Sequence, residues 1–297
     1  MRPVGFVQNL YRYPVKSMQG QSCERLHLTG AGAVGDRQWA FIDVASGKVV
    51  SAKRPKRWKA LLQCRAQLAA APGRADSLIL TLPNGNDIEG TADEVGRTMT
   101  ELLSREVRLS SAPTGPAMMD VEHRIDVGPI GITVRIKFPV ATATPVPAFV
   151  DYAPLHLLTT ATLARLARLY PQGQWNPARF RPNVLIDNGD DPSSDEAAWL
   201  GKILQIGDVR VRVIDPCPRC VMTTLSQGQL NHDPRIWSAL RRMPEAESLT
   251  FRPGKYLRAV AGCYGQIVAE GEIQVGDKVR LFDCDVTSRQ ICRDDAG

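Results

Sequence analysis

The sequence predicts a mainly β protein with a few helices, and three observations carry that expectation. Short stretches of strand composition recur along the 297 residues, separated by turns rich in glycine, asparagine and aspartate. One of them, Val209-Arg210-Val211-Arg212-Val213-Ile214, alternates cleanly and should bury one face. Only two stretches have clear helical spacing. Strands this short and this evenly spaced suggest a barrel.

In chain order, Val4 to Leu10 alternates weakly, and Tyr13-Pro14-Val15-Lys16-Ser17 is extended around its proline. Arg37 to Val44 has strand composition and returns through a Ser46-Gly47 turn to Val49-Val50, a hairpin. Leu78 to Leu82, the Asn84-Gly85-Asn86 turn and Ile88 repeat that pattern. Thr91-Ala92-Asp93-Glu94 fits a capping box, and Val95, Met99, Leu102 and Leu103 continue one apolar helical face. Residues 110–120 are small and rich in proline and glycine, which marks a linker and the expected domain boundary. An irregular stretch through Pro139, Pro145 and Pro147 follows, then a helix from Thr160 to Tyr170. Strands resume at Val184–Asp187, Leu204–Ile206, Val209–Ile214, Gly265–Ala269 and Val279–Phe282, with Gly-Asp turns at 207–208 and 276–277.

Composition narrows the function. Hydrophobic residues make up 43% and charged residues 23%, the mix of an ordinary soluble globular protein. No apolar run approaches the ~20 residues of a membrane span, and the first residues lack a signal-peptide core, so a cytoplasmic location is expected. Seven cysteines, five of them isolated at 23, 64, 263, 284 and 292, favour reduced thiols over a disulfide framework. The net charge of +6 is spread along the chain, with one dense cluster at Lys53, Arg54, Lys56 and Arg57. A solvated loop accounts for it as well as a basic wall facing an anionic cofactor does. No nucleic-acid motif accompanies it.

The sharpest local feature is Pro216-Cys217-Pro218-Arg219-Cys220, directly after the alternating strand. Two thiols three positions apart serve in half a structural zinc site, in a redox dithiol, or as one metal-bound thiolate with a supporting neighbour. Spacing alone leaves these readings open beside that of an unpaired thiol pair. Lys16-Ser17, Arg37 and Arg181 stand beside turn-forming residues, and such side chains in fixed geometry suit a phosphate, though each singly is also an ordinary surface charge. The four histidines stand alone, and His156 between Leu155 and Leu157 reads as a half-buried packing residue. Nucleophile-elbow, Walker and dinucleotide fingerprints are absent.

Taken in order, Tyr13-Pro14-Val15-Lys16-Ser17, Asp36-Arg37-Gln38-Trp39, Phe180-Arg181-Pro182-Asn183 and Cys217-Pro218-Arg219-Cys220 followed by Thr223-Thr224 resemble the MOSC family with its N-terminal β-barrel domain. Trp199-Leu200-Gly201, Ile206-Gly207-Asp208 and Val275-Gly276-Asp277 fit as well. The resemblance runs from about residue 4 to 283 and is weakest between 65 and 140. It implies two β-barrel-like domains, 1–113 and the cofactor-binding MOSC domain 114–290, with a cofactor cleft between them and a tail at 291–297. The implied cofactor is molybdenum–molybdopterin with Cys220 as the metal ligand. Lys16, Ser17, Arg37 and Arg181 match pterin and phosphate contacts, Cys217, Pro218 and Arg219 stand beside the ligand, and Asn183 supports the Arg181 segment. Asp151 matches an acidic position near the metal, and it or a bound water is expected to handle protons.

The implied activity is two-electron removal of oxygen from N-hydroxylated or related N- or S-oxygenated small molecules. The tail, through Cys284 and Cys292, carries no iron–sulfur pattern. Electrons are therefore expected from a separate ferredoxin- or flavodoxin-type protein and its reductase, with no nucleic-acid partner and no membrane span. Tyr152 and Ala153 replace small hydroxyl residues that relatives can carry, which bears on the substrate pocket. Two rival readings remain. One keeps the fold without metal, as a sulfur carrier or sulfurtransferase with a persulfide on Cys220. The other is a non-enzymatic barrel binding RNA or another anion, which would call for clustered aromatics, and these are only 6% of the chain.

Overall fold

In a computed structural model the described residues are 1–68, 78–111, 117–127, 130–144, 148–189 and 196–282. Residues 112–116 of the expected linker, Pro145, Pro147, Cys284, Cys292 and the 291–297 tail lie outside them. The chain is mainly β, as expected, with four α-helices among the described residues.

Its centre is a closed barrel of seven strands. In spatial order these are Arg2–Arg12, Val184–Asp187, Leu155–Thr159, Val260–Ala269, Val209–Pro218, Ile203–Ile206 and Lys278–Phe282, which returns to Arg2–Arg12. All pairs are antiparallel except Leu155–Thr159 with Val184–Asp187, which run parallel across the helix Thr160–Leu169. The alternation read in Val209–Ile214 is realised, with Val209, Val211 and Val213 fully buried among Leu10, Leu155, Leu204 and Leu281. The start of the chain therefore completes the barrel built by its second half. Phe6 pairs with Asp187 on one side and Lys278 on the other.

The remaining N-terminal residues form smaller sheets. Ala40–Asp43 pairs with Val107–Ser110, and Arg65–Leu68, Leu78–Thr81 and Asp87–Glu89 form a three-stranded sheet. The helix Ala92–Leu103 begins in the expected capping box, with Thr91 and Glu94 bonded reciprocally, and buries Val95 and Met99 against Phe41, Trp58 and Leu80. Where an irregular stretch was expected, the long hairpin Met118–Val127/Ile130–Pro139 runs instead. The alternation of Ile132, Val134, Ile136 and Phe138 with polar neighbours carried that signal, and the prolines after it masked it. Met119 and Val121 of this hairpin pack with Ala40, Ile42 and Val49, so chain from both sides of the 113/114 division shares one core.

The first strand gives a test. Leu10, fully buried in the barrel core, should cost about 2–5 kcal/mol on Leu10→Ala, whereas Gln8→Ala, at an exposed position of the same strand, should stay within about 0.5 kcal/mol. Denaturant unfolding of both variants measures this, and equal small effects would mean that the strand is peripheral.

Candidate functional site

Three pieces of irregular backbone meet beside the end of strand Val209–Pro218 and enclose a cleft. Its wall includes Lys16, Ser17, Arg37, Asp151, Arg181, Asn183, Cys217, Arg219 and Cys220, so nine of the ten expected site residues converge from distant parts of the chain. Pro218 is the exception: it does not line the cleft but pairs with Val260 at the end of its strand. The register between Val209–Pro218 and Val260–Ala269 slips at Val213/Asp215 and again at Pro216/Pro218. Such irregularities bend a strand and re-aim its side chains, and here they deliver the two cysteines.

Backbone strain concentrates at the same place. Ser17, Arg37 and Arg181 have φ of 66°, 47° and 56°, left-handed values that cost a residue with a Cβ of order 1 kcal/mol or more. Arg37 and Arg181 are held there by bonds between domains, and Ser17 by a bond within the N-terminal one. Arg37 Nη1 donates to Asp36 and to Asn183 Oδ1 at 3.1 Å, and its Nη2 donates to the Arg181 carbonyl at 2.9 Å. Arg181 Nη1 donates to the Met18 carbonyl. Ser17 Oγ accepts from the Ala52 N–H at 3.1 Å. Both guanidiniums lie against the buried Tyr13 ring, at 4.7 Å for Arg37 and 4.3 Å for Arg181. Burial, and then Arg37, lower the Arg181 pKa to about 10.

The lysines form a second cluster. Lys16 Nζ donates to the Phe149 carbonyl and to Asp151 Oδ1, both at 2.7 Å, and Lys53 Nζ reaches Asp151 Oδ2 at 2.9 Å. Burial lowers the Lys16 pKa to about 8 against the opposing pull of Asp151. Burial alone would raise the Asp151 carboxyl, but Lys16 and Lys53 together hold it well below the usual carboxylate range. Held ionised between two ammonium groups, Asp151 is a weaker proton acceptor than an ordinary carboxylate. The basic cluster read from the sequence also divides. Lys53 and Arg54 turn inward to Asp151, Asp120 and Glu122, while Lys56 and Arg57 stay exposed.

The thiols differ from each other. Cys217 is buried and its Sγ accepts from Arg219 Nη1 at 2.7 Å, with burial pushing the thiol pKa up against Arg219 and Tyr264. Cys220 is half-buried on the cleft wall, in extended conformation just before the short turn Val221–Thr224. That turn is fixed by Arg179, a buried side chain whose Nη1 donates to the carbonyls of Thr223 and Leu225 at 3.1 and 3.3 Å. The zinc reading required further converging ligands, and no group of three or more His, Cys, Asp or Glu is so placed among the described residues. The cysteines at 23, 64, 217 and 220 are free thiols.

Sequence reasoning missed Ser51, His156, Arg179 and Tyr264 in this wall. For His156 the signal was present. In a strand, Leu155 and Leu157 face the core and the residue between them faces the other way. Burial first, then Arg219 and Arg37, hold its imidazole pKa well below the ordinary histidine value.

Two family profiles cover most of the chain. The MOSC N-terminal beta barrel domain matches residues 4–121 and the MOSC domain matches residues 145–280. The chain belongs to the MOSC family. This MOSC chain is 27% identical to mitochondrial amidoxime reducing component 2 of Homo sapiens over 308 aligned positions, covering 94% of this chain and 84% of the relative. It is 28% identical to mitochondrial amidoxime-reducing component 1 of Homo sapiens, covering 95% of this chain and 84% of the relative. Molybdenum cofactor sulfurase of Caenorhabditis briggsae matches at 31% over 135 positions, 45% of this chain and 18% of that protein. No helix among the described residues is long and apolar enough to cross a membrane.

Removing the Asp151 charge should move Lys16. In Asp151→Asn the Lys16 ammonium loses its main supporting charge, and its pKa should fall below about 8. The pH dependence of amine labelling, read by mass spectrometry, measures this; an unchanged or higher value would refute the coupling. The Asp151 carboxyl is held below its unfolded value of about 3.9. Its stabilisation is thus complete above that pH and lost as pH falls through the lower folded value. The stability gap between wild type and Asp151→Asn should therefore stay level from about pH 7 to 5 and close below about pH 4.

Proposed function

We propose that the protein is a molybdenum-cofactor-dependent oxidoreductase. It removes oxygen from N-hydroxylated or related N- and S-oxygenated small molecules, with the cofactor in the cleft and the Cys220 thiolate on the metal. The observation that carries this reading is the charge of the cleft wall, where Lys16, Arg37, Arg179, Arg181 and Arg219 face a single carboxylate, Asp151. Lys16 and Lys53 already engage Asp151, and Asp36 engages Arg37. Arg181 is left with a carbonyl and the Tyr13 ring, and the buried Nε of Arg219 has no acceptor at all. Cations taken out of water without counter-charge cost several kcal/mol each, so the wall suits a polyanionic ligand, and a thiol at its edge suits a soft metal.

When bound, the cofactor would supply two-electron oxygen-atom transfer. The chain's own residues do the rest. Lys16, Ser17, Arg37 and Arg181 would hold the anionic end, with Asn183 fixing the Arg37 guanidinium. Arg219 neutralises charge beside the thiols, and Arg179 holds the turn that presents Cys220. Electrons would come from a separate ferredoxin- or flavodoxin-type protein and its reductase, in the cytoplasm. The names of the relatives, amidoxime reducing component and molybdenum cofactor sulfurase, support the same reading.

The test is the metal and pterin content of protein made in a host that assembles molybdenum cofactor. Near-stoichiometric molybdenum and pterin are expected in the wild type, with molybdenum largely lost in Cys220→Ala. Arg181→Ala should weaken pterin retention about 10–100-fold, the worth of one charge-assisted hydrogen bond. A folded wild type with neither metal nor pterin would overturn the proposal, and a persulfide on its Cys220 would identify a sulfur-transfer protein instead.

A further inference from the structure

His156 is the one imidazole in the cleft wall among the described residues, and the roles assigned above leave it without a task. Its Nδ1 faces the Arg181 carbonyl at 3.4 Å, and its Nε2 faces the Ala261 carbonyl at 3.4 Å. Both partners only accept. A neutral imidazole donates to one of them, its bare Nε2 then accepting from Arg219 Nη1 at 3.4 Å, whereas an imidazolium carries two N–H groups and serves both carbonyls. The fold makes room for this arrangement at Gly262, where φ is +88° and a Cβ would sit 2.2 Å from His156 Nε2. The Gly262 N–H is fixed in turn by the buried carboxylate of Glu196.

Against protonation stand burial and two cations. Arg219 Nη1 lies 3.4 Å from Nε2, and Arg219 and Arg37 both oppose a positive charge on the ring. The other groups around the ring are Arg181 through its carbonyl, the Tyr264 ring at 6.2 Å, Cys217 on the far side of Arg219, and Glu196 behind Gly262. An anion in the cleft compensates Arg219 and Arg37, while the two carbonyls stay where they are. We propose that His156 takes up a proton when an anion fills this cleft and carries it, as an imidazolium, beside the bound group.

The inference rests on the anion-binding reading of the cleft and deepens it. Removing oxygen from an N–OH group breaks the N–O bond, forms an N–H bond and releases water, which consumes two electrons from the separate donor and two protons. Asp151 is engaged by two lysines, and a proton held at His156 answers a need of the proposed reaction.

The test uses the full chain from a host lacking molybdenum cofactor and inorganic pyrophosphate as the probe. Calorimetric titrations near pH 6.5, in buffers of different ionisation enthalpy, should show uptake of ~1 proton per pyrophosphate beyond that seen in His156→Gln. Proton exchange by the probe itself is common to both proteins and cancels. The wild-type affinity, relative to the variant's, should fall up to about tenfold per unit as pH rises through this range. Lys16, with its pKa lowered to about 8, exchanges protons at higher pH, and the variant retains it. Should His156→Gln fail to fold, the four histidines are few enough for labelled-imidazole NMR of the wild type. One buried ring should pass from neutral to cationic on adding pyrophosphate at constant pH. Equal proton uptake in the two proteins, an imidazole that stays neutral, or no pyrophosphate binding each overturns the inference. Molybdenum and pterin content, measured separately, still decides the function.

Discussion

Everything in the cleft depends on two like charges being held against one ring. Arg37 comes from the N-terminal sheets and Arg181 from the loop that enters the barrel strand Val184–Asp187, and both guanidiniums lie on Tyr13. Two buried cations repel each other, so their closeness has to be imposed. Asp36 neutralises one of them and also accepts the Tyr13 N–H at 2.7 Å. The remaining bonds run across the domain junction, from Arg37 to Asn183 and the Arg181 carbonyl, and from Arg181 to the Met18 carbonyl. The interaction that assembles the cationic wall therefore also helps to fix the N-terminal sheets on the barrel, beside the Lys16 and Lys53 pairs with Asp151.

The same logic explains where the backbone is strained. Six residues other than glycine have left-handed φ among the described residues, and Ser17, Arg37 and Arg181 are three of them. Strain of this kind persists only where surrounding bonds over-determine the conformation. At Arg37 and Arg181 the inter-domain bonds do that, and at Ser17 the bond from Ala52 within the N-terminal domain does. At the opposite wall the strand Val209–Pro218 slips register at Val213/Asp215 and Pro216/Pro218, and Arg179 grips the turn beyond it by carbonyls alone. The half-buried Cys220 is thus set between a strand end and a pinned turn, while Cys217, three residues earlier, is buried under Arg219.

Much of this was legible in the chain. The capping box at Thr91 and Glu94, the alternation at Val209–Val213 and the strands Val184–Asp187 and Lys278–Phe282 follow from local periodicity, and the structure contains them. Lys16, Ser17, Arg37, Arg181 and Cys220 were marked by their turn-forming neighbours and by resemblance to a family, and they meet in one cleft. The hairpin Met118–Val127/Ile130–Pro139 was hidden by the prolines that follow it. Arg179 and Tyr264 were hidden because nothing in their immediate sequence distinguishes a buried cation or phenol from an exposed one. Lys53 was counted with its exposed neighbours, although its partner Asp151 lies 98 positions further along.

By itself the sequence determined the class of fold, most of its elements and the residue types that make a cationic, thiol-bearing site. Those are set by short-range patterns: period-two alternation, capping, and turn-forming residues next to charges. Tertiary structure alone decided that the first strand, Arg2–Arg12, closes the barrel of the second half, and that Asp151 is an ion-pair partner of Lys16 and Lys53. It also decided that His156, which reads as packing, has a ring in the cleft between two carbonyls. The physical reason is common to all three. Strand partners, burial and the field at a titratable group are set by residues far away in sequence, and no local pattern records them.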